Sequence, residues 1–90
     1  MEKKNNLITY LALEVTWILA NIFTLVDAVS NTYLFTDKTC KTTSVLFLLL
    51  NKFLESGNIR LRNLTLEAVF NAIFDNKAAA EAFVDEGVLF

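Results

Sequence analysis

From Leu7 to Val26 apolar side chains fill most positions, while the polar or amphipathic ones fall on one line: Tyr10, Glu14, Trp17, Asn21 and Thr24. Steps of four, three, four and three keep these five on a single stripe of an α-helix. Thr9 and Thr16 stand off the stripe. A cylinder that is apolar over most of its circumference must be covered on several sides, by a bilayer or by neighbouring helices of a stacked array.

The rest of the chain has the same helical character, broken by short polar stretches. The pattern predicts helices over Asn6–Thr24, Val26–Leu34, Thr43–Glu55, Leu61–Phe74 and Lys77–Asp85, an all-α chain of one domain over residues 1–90. Ser56-Gly57-Asn58 reads as a stop, with Gly57 available for a left-handed residue, and Asp75-Asn76 separates the last two runs. Glu67 comes one residue too late for a capping box on Asn63, which points to an earlier start for the fourth helix, near Asn58. The polar run from Thr36 to Thr43 reads as a loop.

Composition sharpens the question of what covers the helices. At 90 residues and 54% hydrophobic, the chain carries more apolar surface than a small globule hides, since a domain of this size buries only about 60–65% of what its unfolded chain exposes. The surplus points to a neighbour.

A bilayer is one candidate. Leu7–Val26 has the length of a span and follows Lys3 and Lys4, but Glu14 near its middle costs roughly 2.5–3.5 kcal/mol on insertion scales, and Asn21 adds to that. The same Glu14, with no small-residue cleavage site after the run, argues against a signal peptide.

Charge and reactive chemistry narrow the classes further. Eight basic and ten acidic residues give a net charge of −2, which disfavours nonspecific nucleic-acid binding. Arg60 and Arg62 read as a solvated face, and Lys77 with Glu81 as an i,i+4 pair in the less favoured order. No histidine and one cysteine, Cys40, rule out the usual zinc sites, histidine-based triads and an internal disulfide. Asp85 and Glu86, adjacent in sequence, do not face each other on a helix. The expectation is a binding protein, not an enzyme, with no cofactor or metal.

Two internal echoes favour the stacked array. Ser44-Val45-Leu46-Phe47 returns as Gly87-Val88-Leu89-Phe90, 43 positions on. Leu13-Glu14-Val15-Thr16-Trp17 pairs with Leu66-Glu67-Ala68-Val69-Phe70, 53 positions on, and an insertion within Thr36–Thr43 reconciles the two. A period near 43 lies in the range of about 40–47 residues of HEAT and armadillo repeats.

Glu14-Val15-Thr16-Trp17-Ile18-Leu19-Ala20-Asn21-Ile22 resembles the inner third helix of an armadillo repeat of the importin alpha type, through the pattern E-x-x-W-x-x-x-N-I. Ala20 stands where that family usually has serine. Ala80–Leu89 resembles the short first helix and its turn, with Val84, Gly87 and Leu89 matching; Val88 replaces an alanine, and Phe90 a proline. The segment Thr24–Thr43 matches poorly. The resemblance implies a short right-handed α-solenoid whose helices run third, first, second, third, first. It also implies a slice of a longer array, since fewer than about three repeats seldom stand alone.

The resemblance further implies a groove in which Trp17 and Asn21 hold an extended basic peptide, as in recognition of nuclear-localisation signals, and hence a cytoplasmic or nuclear place in protein transport. An asparagine amide pairs with peptide backbone whatever the side chains. An indole flanks a lysine stem, and Glu14 adds charge selection. Leu25 stands where the family often has an acid, with Asp27 two further on, which weakens the basic-peptide site. Phe70 and Phe74 take the matching places in the second inner helix, so one pocket unit survives at most. A lone tryptophan on an apolar helix is equally consistent with a core aromatic, so both readings of Trp17 stand at this point. Self-association through Val88, Leu89 and Phe90 at the open end is a third way to cover the apolar surplus.

Overall fold

The computed structural model describes residues 2–25, 28–37 and 39–88. Those residues form five α-helices and no strand: α1 Glu2–Leu25, α2 Ala28–Thr36, α3 Lys41–Leu54, α4 Ile59–Ile73 and α5 Lys77–Asp85. The all-helical expectation holds, with boundaries moved by up to four residues. Val26, Asp27, Leu89 and Phe90, used in the sequence reading, lie outside the described residues.

Local chemistry explains where the helices start and stop. Asn58 caps α4, its side-chain oxygen accepting from Leu61 N at 2.9 Å, and Asn76 caps α5 in the same way, from Ala79 N at 3.1 Å. At the end of α5, Gly87 has φ of 70°; its N–H donates to Val84 O, and Val88 N–H donates to Phe83 O, each at 3.0 Å. This is a Schellman closure, and it folds Val88 back into the core, only 5% exposed. The expected left-handed Gly57 is not found: the positive φ angles belong to Asp75 and Gly87. The polar stretch after α2 is also shorter than expected, because Lys41, Thr42 and Thr43 already belong to α3. Thr43, buried, donates its hydroxyl to Leu34 O at 2.6 Å, which ties the start of α3 to the end of α2.

Packing joins helices three apart in the chain. α1 lies chiefly against α4, and α2 against α5, while α3 packs on α4. Small residues form the α1–α4 seam: Thr16 and Ala20 on one side, Ala68 and Ala72 on the other, all buried. Small side chains let two helix backbones approach closely at interior packing density. The Asn71 amide donates across the seam to Ala20 O at 3.2 Å.

The remainder of the core is aromatic. Phe35 on α2 meets Phe23 of α1, Phe47 of α3 and Phe83 of α5 with ring centroids 5.2, 5.8 and 4.8 Å apart, and Phe47 meets Phe83 at 5.0 Å. Thus four helices are joined through one ring cluster. The molecule is elongated, 41 × 22 × 22 Å.

Several buried positions recur at one spacing. Thr16 and Thr65 are both fully buried, and each donates its hydroxyl to the carbonyl four residues back, Ala12 O and Leu61 O, at 2.7 Å. These threonines stand 49 positions apart, as do buried Ala20 and Val69, buried Phe23 and Ala72, and the first residues of α2 and α5. The sequence echo at 53 is therefore one helical turn out of register, four residues further on the same face. The echo at 43 pairs a segment inside α3 with the turn after α5 and has no structural counterpart among the described residues.

Candidate functional site

Burial divides α1 into three faces. Thr16, Ala20 and Phe23 turn inward. The polar stripe turns outward as a unit: Tyr10, Glu14, Trp17, Asn21 and Thr24 are all exposed. Trp17 is 60% exposed, which excludes the core reading of this side chain. Thr16, which stood off the stripe, is the residue the seam buries, with its hydroxyl satisfied by its own helix.

Around Trp17 lies an open hollow of about 250 Å³ lined by Leu13, Glu14, Trp17, Arg60 and Leu64. Glu14 and Trp17 thus share one depression at the α1–α4 junction. Arg60 joins them, and this was not legible as anything more than a solvated side chain. The hollow therefore carries both signs of charge.

Asn21 lies one turn beyond Trp17, outside the residues lining the hollow. Its amide nitrogen donates to Trp17 O at 3.0 Å, and Thr24 Oγ1 donates to Asn21 O at 2.7 Å. One amide hydrogen is thus directed at the helix backbone, while the side chain as a whole stays in water. Such an amide keeps the second N–H and the oxygen for a partner.

The second helix of the seam continues the surface with rings. Phe70 and Phe74 are 60% and 67% exposed and in contact with each other at 5.8 Å between centroids. In the 49-residue register Asn21 corresponds to Phe70 and Trp17 to Leu66, one turn earlier than the sequence echo implied. The Asn21 amide thus has no counterpart on α4 at that spacing.

A third face was not singled out by the sequence reading. Leu7, Leu11, Val15, Ile18, Ile22 and Leu25 are exposed along the whole of α1, between 40% and 84%. Their apolar character suggested cover; only the burial of each position shows that none of the described residues supplies it. Val88, expected at an open end, is by contrast part of the core.

Among the described residues no group of three or more histidine, cysteine, aspartate or glutamate side chains comes together as a metal site. Comparison with family models, with curated proteins and with solved structures finds no match, so the geometry of this face stands as the guide to function.

Proposed function

We propose that the chain is a peptide- or protein-binding module that takes its partner on the outer face of α1, with Trp17, Asn21 and Glu14 as the contact residues. The observation that carries this reading is Trp17. An indole left 60% in water costs the free chain hydrophobic stabilisation, and such rings are the commonest anchors of binding surfaces. Asn21 supplies backbone hydrogen bonds to an extended partner, and the indole takes an aliphatic stem or a cation. Arg60 beside Glu14 makes the hollow a poorer site for a purely basic peptide than the E-x-x-W-x-x-x-N-I pattern alone suggests.

The importin alpha-like reading draws support from two features. α1 pairs with α4 and α2 with α5, as successive units of a helical repeat do, and buried positions recur at one constant spacing. On that reading α1 and α4 are inner helices of a short right-handed solenoid, their outer surface is its groove, and the protein acts in the cytoplasm or nucleus.

Trp17 is the only tryptophan and reports on its own site. A lysine-rich peptide titrated into the protein should change its emission, and Asn21→Ala should weaken binding by about 1 kcal/mol, roughly fivefold. Emission unchanged up to millimolar peptide would count against the groove.

One observation favours a second reading. Asn6–Leu25 has a mean hydropathy of 1.6, and only 17% of that span is buried, far less than a core helix. A small membrane protein is the reading that follows. Protein that remains in the aqueous phase without detergent would exclude it.

A further inference from the structure

The hollow at the α1–α4 junction holds two opposite charges that do not pair. Among the described residues the one ion pair is Lys77 with Glu81, at 3.8 Å, so the Glu14 carboxylate and the Arg60 guanidinium line one depression without bonding each other. Neither charge is answered on its own helix. The residues three and four places from Glu14 are Tyr10, Leu11, Trp17 and Ile18, and those that follow Arg60 by three and four are Asn63 and Leu64, none of them charged. Arg60 also sits in the first turn of α4, which has no acidic residue, so the positive end of the helix adds to its charge instead of offsetting it.

Building on the peptide-binding reading of Trp17, we propose that the partner is an extended segment of mixed charge, with a basic and an acidic side chain two positions apart, and that Arg60 selects it over a purely basic one. Residues i and i+2 of an extended strand point the same way, about 6.5–7 Å apart. The basic side chain goes to Glu14 and the acidic one to Arg60, while the indole covers the aliphatic stem between them. A purely basic segment sets one of its cations against Arg60, and a purely acidic one sets a carboxylate against Glu14. The net charge of −2 works in the other direction, since on its own it favours the purely basic segment. A preference for mixed charge therefore has to come from this hollow.

Trp17 emission separates the cases when the full chain is titrated with three peptides of one length. At every second position these carry lysine alone, glutamate alone, or the two in alternation, with serine between. The alternating peptide should bind at least ~3-fold more tightly than either of the others at low salt, and the advantage should vanish near about 0.5 M salt. Arg60→Glu should reverse the ranking of the alternating and lysine peptides. Arg62→Glu makes the same change in net charge outside the hollow and should leave the ranking as it was. Both arginines are exposed, so the helical circular dichroism should be unchanged in each variant.

A lysine or glutamate peptide that binds as tightly as the alternating one would overturn the mixed-charge partner and leave the peptide site standing. So would a ranking that Arg60→Glu leaves unchanged, or one that Arg62→Glu reverses as well. No change of emission with any of the three peptides would overturn both.

Discussion

Cys40 shows how one position acquires its chemistry from the helix that follows it. It is the residue before α3, with extended backbone and no capping hydrogen bond from its side chain, so the first turn of the helix acts on its thiol through weak contacts and the field of the helix end. The N–H of Thr43, then the N–H and hydroxyl of Thr42, hold its thiol below the ordinary thiol range. A thiolate favoured in this way reacts at lower pH than a free cysteine. The pH dependence of iodoacetamide alkylation should therefore have its midpoint below that of a cysteine peptide, and Thr42→Ala should shift it upward. A midpoint equal to that of the peptide would remove the helix terminus as the cause. Asp37, three residues earlier, is lowered mainly by the Thr39 hydroxyl, which donates at 2.6 Å, and by the Thr39 N–H. A carboxylate with a lowered folded pKa stabilises the fold above its unfolded pKa, and that contribution is lost as pH falls through the folded value. Asp37 is fully solvated, so Asp37→Asn should flatten the acid limb of the stability curve slightly and leave stability at low pH unchanged.

At the scale of the element, the two glycines answer differently to the same change. Gly57 has no left-handed φ, and an added methyl group would meet nothing within 4 Å. Gly57→Ala should therefore raise stability by about 0.4–1 kcal/mol, by restricting the unfolded chain. Gly87 sits at φ 70° in the turn that closes α5, so Gly87→Ala should lower stability by about 1 kcal/mol. Opposite signs in urea denaturation are the expected result; equal signs would refute this account of the turns. The helices themselves were legible because apolar periodicity and asparagine breaks agree locally, as at Asn58 and Asn76. The identity of the left-handed residue was not, since a glycine permits that conformation without requiring it. Register was misread for a related reason. A helix presents the same face again after four residues, so Leu13–Trp17 aligned on Leu66–Phe70 as readily as one turn earlier. The buried Thr16 and Thr65, with matching hydroxyl bonds, and the starts of α2 and α5 separate the two alignments. Of the candidate site, the common stripe of Glu14, Trp17 and Asn21 followed from their spacing, but the exposure of Trp17 did not, since a core aromatic fits the same pattern. The arrival of Arg60 did not, because it depends on how α4 lies against α1.

The whole molecule divides its apolar content between a small core and a large outer face, and that division makes a sharp prediction. Composition alone treats the phenylalanines as equivalent. Phe35 is 2% exposed and touches three other rings, whereas Phe70 is 60% exposed and touches only Phe74 among the described rings. Phe35→Ala should therefore remove about 3–5 kcal/mol, through lost burial and the cavity left between α1, α3 and α5. A domain of this size has about 5–13 kcal/mol in total, so that single change should bring the chain near the edge of unfolding. Phe70→Ala should cost well under 1 kcal/mol, since its ring leaves little buried surface behind. Thermal unfolding followed by circular dichroism separates the cases, with a fall in Tm of roughly 15–30 °C expected for Phe35→Ala and a few degrees at most for Phe70→Ala. If the two variants unfold together, the outer rings are also structural. The surplus of apolar surface would then belong to the folding of this chain, and the need for a partner would disappear.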